Sequence, residues 1–482
     1  MEKKHTSSVE ALGPEAVLVQ PIIATRSSFY NLALFLLGFT TIAFFAWLRQ
    51  LRWGLGITGL NVPVYWGFYI TNFVFFIGIS HAGTLISAIL RLCHAEWRRS
   101  ITRAAEVITV LVLFFGVGSI IVDLGRPDRM LNVLKHPNFS SPLLWDVCSV
   151  STYLLASSIY LYLPLIPDLA ILRDHAGKYT RFYRLLALNW QGTERQRKLL
   201  DRCIAVMAVL VIPIAISVHT VVSWVFGMTV QPMWHSTIFG PYFVVGAIFS
   251  GIASLIIAMA LIRRIYFLQN YLKVIHFNHL GTLLLVFALL WFYFTFAELI
   301  TTYYGHDPAH LLVFYSKLTG RFAHLFWTMV ITCFLIPVGI LVRRKTRTVT
   351  GTVIASVSIL IGMWLERYTI VVPTLSNPRV PWAKVFYNPT WVEIAMTLGF
   401  GATFIFLYML FTKFFPIVSI WEVQEGRELA LEEVAERIKS YLPGPELADS
   451  AVHSEGTVAS LQAHEVGGRG TARGGGTKSG MT

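Results

Sequence analysis

Ten long apolar stretches divide this chain, and they leave little choice of fold. A hydrocarbon core about 30 Å thick is crossed by roughly 20 apolar residues in a helix. Lipid offers no partner to the backbone of an open strand, so each stretch has to be helical. Transmembrane helices are predicted near 29–48, 65–91, 104–124, 143–165, 203–226, 239–262, 277–301, 322–342, 349–372 and 391–413. The expected fold is an all-α polytopic membrane protein with ten transmembrane helices. With 55% hydrophobic and 13% charged residues, 482 residues could not cover a soluble surface. The first stretch is too long for a signal h-region and is expected to stay as the first membrane helix.

The loops then alternate between two sides. Those within 91–103, 173–202, 263–273 and 343–347 carry nineteen Lys and Arg; the opposite loops carry nine. The basic excess predicts that the first set is cytoplasmic, and ten spans then put both termini there. The net charge of +13 follows from topology, and no basic patch interleaved with aromatics points to nucleic acid. The opposite loops hold Trp53, Trp66, Trp145, Trp234, Tyr303, Tyr304, Trp382, Tyr387 and Trp391. Two readings stand for these: an interfacial aromatic belt, and a docking surface for an extrinsic subunit.

Composition marks four regions: a polar leader at 1–27, a membrane domain at 28–421, a cytoplasmic surface helix at 422–442, and a Gly/Ser-rich tail at 443–482. The tail is predicted to be disordered, since it cannot bury a core. The leader is expected to lie along a neighbouring subunit.

Lone ionisable groups inside the spans are where function is expected, because each needs a partner, a cavity or a task. His81 lies deep in the second helix (SHAGTLISAIL) among small residues that let helices approach closely. It reads either as a bonded core histidine or as a proton acceptor and quinone ligand. Thr84, one turn on, can share a ligand or water with it. Asp123 and Arg126 (VDLGRPDR) share a face if the third helix persists; they read as a surface clamp or as a carboxylate tuned by its neighbour at a pocket edge. Asp146 opens the fourth helix, where an aspartate suits the helix dipole. His219, Glu298, Glu366 and Arg367 lie in the fifth, seventh and ninth helices. Glu366 and Arg367 are adjacent, about 100° apart on a helix, so each is expected to meet another helix, with Glu298 as a partner for Arg367. Together these groups read as an ion-paired core or as a proton relay. Pro213 is expected to kink the fifth helix, and no span reads as strongly broken.

The four cysteines form no CxxC or CxxCH motif, and three of them fall in or beside apolar segments as small core residues. An iron–sulfur cluster held by this chain alone is not expected. A bis-histidine haem on His81 and His219 is the competing cofactor reading, and no HxxxH or Cys/His cluster suggests zinc.

The segments SHAGTLISAILRL, GRPDR, SPLLWD, HTVVSWVFG, WHSTIFGPYFVVGAIFSG, LWFYFTFAELITTYYG and WLERYTIVVPTL resemble, in order and spacing over roughly 29–421, the NrfD/polysulfide-reductase family of membrane subunits. Among its members they are most similar to the ActC subunits of bacterial alternative complex III. The resemblance implies two four-helix bundles, helices 2–5 and 6–9, flanked by helices 1 and 10, in a bacterial inner membrane. It implies quinol binding, with menaquinol expected, near the periplasmic face, and no haem or iron–sulfur cluster on the chain itself. The implied partners are an iron–sulfur subunit (ActB) on the periplasmic face, an ActF-like NrfD paralogue, c-type cytochrome subunits (ActA and ActE), small membrane subunits and the lipid bilayer.

On this reading the chain oxidises quinol. His81 and Asp123 accept protons, and Thr84, Arg126, Asp146 and His219 help hold the quinone. His81, His219, Glu298, Glu366 and Arg367 form a proton path, with proton translocation as a further expectation. The alternative is a secondary transporter built on the same buried carboxylates and imidazoles.

Overall fold

The computed structural model describes residues 15–175, 179–379 and 386–441. No strand occurs among them, and ten helices are long and apolar enough to cross a membrane. In chain order these are α1 (Ser27–Trp53), α2 (Phe68–Leu92), α3 (Thr102–Asp123), α4 (Pro142–His175), α5 (Glu194–Gly227), α6 (Phe239–Ile265), α7 (Val274–Gly305), α8 (Ala323–Leu341), α9 (Val349–Leu375) and α10 (Trp391–Phe414). The chain is a multi-pass integral membrane protein. The first fourteen residues of the leader, the tail at 443–482 and Trp382 lie outside the described residues.

Three helices outrun their apolar cores. α4 and α5 have 34 residues each and α7 has 32, against roughly 20 for the hydrocarbon. The extra turns of α5 are charged (ERQRKLLDR), so hydropathy does not register them. A capping box starts the helix: the Thr193 side chain accepts from Gln196 N, and the Gln196 side chain accepts from Thr193 N. Pro213 sits inside this continuous helix without ending it. The interruption falls in α8, where Ile331–Leu335 form a π turn just before Pro337. Proline has no N–H to offer the Cys333 carbonyl, so the regular ladder cannot run through this point. α8 still runs on as one helix of 19 residues, so no described span is strongly broken.

α2 packs on α3 and α5, and α4 joins α3 to α5, closing one ring of contacts. α6 packs on α7 and α9, and α8 joins α7 to α9, closing a second. α2 and α6 carry the seam between the rings, while α1 and α10 pair beside α3. Small residues permit the closest approach. A Cβ on Gly83 would collide with the Ala105 carbonyl and Thr109 Oγ1 of α3.

The two ends of the bundle differ in charge. The described loop residues at 54–67, 124–141, 228–238, 306–322, 376–379 and 386–390 make the charge-poor end; those between α2 and α3, α4 and α5, α6 and α7, and α8 and α9 make the basic end. The described part of the leader packs on the membrane domain: Leu18, Val19 and Ile22 of the short helix Ala16–Ile23 are buried, and Lys413 Nζ of α10 donates to the Pro21 carbonyl at 2.7 Å. Of the cysteines, only Cys333 is buried. Helix Ile420–Tyr441 runs from the end of this unit into a separate one that starts at Glu422.

Candidate functional site

His81 faces α5 from the middle of α2. Its ring meets the His219 ring edge to face, centroids 3.8 Å apart, and both residues are fully buried. His81 Nε2 lies 2.7 Å from the Ala215 carbonyl. A carbonyl can only accept, so Nε2 carries the hydrogen and Nδ1 is left as the acceptor in the neutral ring. Neither His219 nitrogen has a hydrogen-bond partner among the described residues. Tyr153 of α4 packs at 5.4 Å on His81 and donates to the Ser80 carbonyl at 3.0 Å. Thr84 lies one turn along; its hydroxyl is 3.2 Å from Ser157 Oγ.

Beyond this pair, α9 supplies Glu366 and Arg367, each 1% exposed. Arg367 Nη1 lies 3.1 Å from Glu366 Oε2, so these neighbours do pair, against the expectation from their angle. The guanidinium sits on a long, flexible stem and folds back; helical angle fixes only Cβ. Its carbon stands 4.8 Å from the Phe243 ring. Gly246 leaves it room: a Cβ there would stand 2.7 Å from Nη2. Neither carboxylate oxygen of Glu366 makes a hydrogen bond among the described residues.

Glu298 does not reach Arg367. It faces Ser236 and Lys317 instead, beside a cavity of about 40 Å³ lined by Trp234, Tyr242, Thr295 and Lys317 among others. Lys317 comes from the short helix Pro308–Leu318, outside the spans. Burial lowers its ammonium to about 8, against the opposing pull of Glu298 and Glu366. Trp234 is 1% exposed and donates to the Ile370 carbonyl at 3.1 Å, so it belongs to the core and not to an outer belt. Lys317, Tyr242 and Trp234 join the polar set through tertiary packing. Their sequence signals, a cation in a loop and two aromatics near a span end, match any interfacial residue.

At the charge-poor end, Asp123 stands at the last turn of α3. Its Oδ1 is buried without a hydrogen-bond partner among the described residues. Around it, Gln50 Nε2 donates to the Val122 carbonyl at 2.8 Å and Tyr69 Oη donates to Gln50 Oε1 at 2.6 Å. Glu393 of α10 is within electrostatic reach. It is itself satisfied by Gly59 N at 2.7 Å, Thr390 N at 2.9 Å and Tyr387 Oη. Burial and Glu393 push the Tyr387 phenol far up, which keeps it a donor.

Arg126 does not pair with Asp123. α3 stops, Gly125 takes a left-handed φ of +63°, and Arg126 swings out to Asp128 at 3.0 Å. That exposed pair holds the Arg126 guanidinium up and the Asp128 carboxyl down. Asp146 is 5% exposed in α4, and its Oδ1 is unpartnered among the described residues. Twelve residues separate Tyr69, beside Asp123, from His81 on the same helix, which is about 18 Å at 1.5 Å per residue. The structure thus joins His81 to His219 and sets Asp123 apart from both. A groove of about 290 Å³ between α1, α3 and α10, lined by Trp47, Phe115, Gly118, Val122, Met396 and Phe400 among others, leads to the residue before Asp123.

The chain is 27% identical to a protein of Halobacterium salinarum named as a membrane subunit of a dimethyl sulfoxide reductase, over 77% of this chain and 88% of that one. It is 24% identical to an Hdr-like menaquinol oxidoreductase integral membrane subunit of Archaeoglobus fulgidus, over 87% of this chain and all of that one. It is also 24% identical to the integral membrane subunit of a menaquinone reductase of Nitratidesulfovibrio vulgaris, over 77% and 90%. The family model described as polysulphide reductase, NrfD, matches residues 56–378, a stretch that holds every buried ionisable group described above except Tyr387 and Glu393. The chain belongs to the NrfD polysulphide reductase family of multi-pass membrane proteins.

Proposed function

We propose that this chain is the quinol-binding and quinol-oxidising membrane subunit of an oxidoreductase of the alternative complex III type, in a bacterial inner membrane. Asp123 carries the reading: a carboxylate with a buried, unpartnered oxygen at the charge-poor end, beside an apolar groove between α1, α3 and α10. The names of two relatives, a menaquinol oxidoreductase subunit and a menaquinone reductase subunit, support a quinone substrate, menaquinol in this reading.

Oxidation of a quinol to a quinone releases two electrons and two protons. Asp123 is the base that takes a hydroxyl proton, and the electrons leave to the cluster of an iron–sulfur partner on the charge-poor face, which the basic loops at the other end make periplasmic. That partner corresponds to ActB; an ActF-like paralogue, the cytochromes ActA and ActE and small membrane subunits complete the assembly. Asp146 is a second carboxylate for the head group. Arg126, paired with Asp128, is outside this set. His81 with Thr84 lies deeper and belongs with His219, Arg367, Glu366 and Glu298 to a proton route through the seam between the rings. In the intact complex, Asp123→Asn should lower quinol oxidation by about a hundredfold or more with assembly kept. Turnover near that of the wild type ends the reading.

A further inference from the structure

Two cavities approach each other at the charge-poor end of the second ring. One is the 40 Å³ cavity beside Glu298 and Lys317. The other is a crevice of about 470 Å³ at the junction of α5 and α6, lined by Gly227, Trp234, His235, Ser236 and Phe239 among others. Trp234 and Phe239 line both, so one layer of side chains divides them. Ser236 belongs to the crevice wall and faces the Glu298 carboxylate. The inner cavity exceeds the roughly 10–15 Å³ that one water requires. Its polar lining includes an oxygen without a hydrogen-bond partner among the described residues, Glu298 Oε2, and the Glu366 carboxylate, ion-paired with Arg367, lies behind it.

We propose that Glu298 and Lys317 form a proton-exchange site that communicates with the charge-poor side through a neck at Ser236. In the forward step the carboxyl O–H of Glu298 breaks and its proton leaves on a crevice water as hydronium. The carboxylate that remains faces the Lys317 ammonium. Uptake is the reverse. The charged and titratable groups around the site are Glu366 and Arg367 of α9, Tyr242 of α6 and, towards the crevice, His235 and His310, whose rings are 6.2 Å apart. With the proton gone, two carboxylates stand against two cations; with it regained, the Lys317 charge is left over, so that ammonium favours release of the Glu298 proton. The inference rests on reading the buried polar chain as a proton route, and it does not depend on where quinol binds.

Infrared difference spectra of the full-length chain in lipid nanodiscs, switched from H₂O to D₂O across a pH series, test it. Glu298→Gln should remove one exchanging carboxyl signal. Ser236→Phe, which fills the neck, should slow exchange of that signal at least tenfold, and Ser236→Ala should not. Lys317→Met should change its amplitude at neutral pH at least twofold. A carboxyl signal unaltered by Glu298→Gln, or an exchange rate indifferent to Ser236→Phe in protein of unchanged Tm, overturns the proposal. Quinol oxidation in the same variants is read separately, so its loss bears on the quinol site alone.

Discussion

Two buried arginine–carboxylate pairs, one in each ring, have opposite surroundings. Arg103 of α3 and Asp168 of α4 form an ion pair held in a hydrogen-bond network, in which only Arg103 Nε lacks a hydrogen-bond partner among the described residues. Arg103 Nη2 donates to the Pro164 carbonyl at 2.7 Å, and Asp168 accepts from Ile420 N at 3.3 Å and Trp421 N at 2.9 Å. Arg367 and Glu366 of α9 are as deeply buried, yet neither carboxylate oxygen makes a hydrogen bond among the described residues. Taking two charges from water costs several kcal/mol per ion, and added hydrogen bonds offset that cost. The first pair has them and holds Ile420 and Trp421 against α3 and α4. The second lacks them and sits where two helices, a cavity and a histidine pair meet. A satisfied pair reads as architecture; an unsatisfied one at a junction reads as a working group.

The contrast predicts a graded set of outcomes. Arg103→Ala leaves the buried Asp168 without its counter-charge, so stability should fall by about 3–5 kcal/mol, read as a lost or strongly lowered Tm of the purified chain. Gly246→Ala puts a Cβ against Arg367 Nη2 and should cost about 1–3 kcal/mol. Because its clash is with the unsatisfied pair, it should also alter proton exchange in the infrared assay; if only stability moves, the second pair is architecture like the first. Lys317 provides a pH arm. Its ammonium is lowered from 10.5 to about 8 in the fold, so the unfolded chain binds more protons between those values. The stability that this lysine contributes should rise as pH climbs from 8 towards 10.5 and be lost as pH falls through 8. A Tm series of wild type against Lys317→Met should show that divergence, and parallel curves would mean the amine is not held neutral. Arg126→Ala should be the smallest of all. Its pair with Asp128 is exposed, so no measurable change in stability or in quinol oxidation is expected. A clear loss would return Arg126 to the Asp123 site.

The ten spans were legible because hydrocarbon imposes a length and a polarity that any local window reveals. Their ends were less so. The charged first turns of α5 and the prolines inside α4 look like loop, and only capping and packing make them helix. His81, His219, Glu298, Glu366 and Arg367 stood out one by one, since a lone ionisable group among apolar residues is visible without a partner. Lys317 did not, because a lysine in a loop says nothing until a short helix carries it inward.

The amino-acid order alone determined that this chain crosses a membrane ten times and buries titratable groups along the way, for solvent and chain length decide both. Which of those groups meet was settled by the tertiary structure. A left-handed glycine turned Arg126 away from Asp123, a flexible stem let Arg367 fold back on Glu366, and the seam of α2, α5 and α6 brought two imidazoles into contact. Contacts between residues far apart in sequence depend on how helices rotate and cross, and no local window contains that.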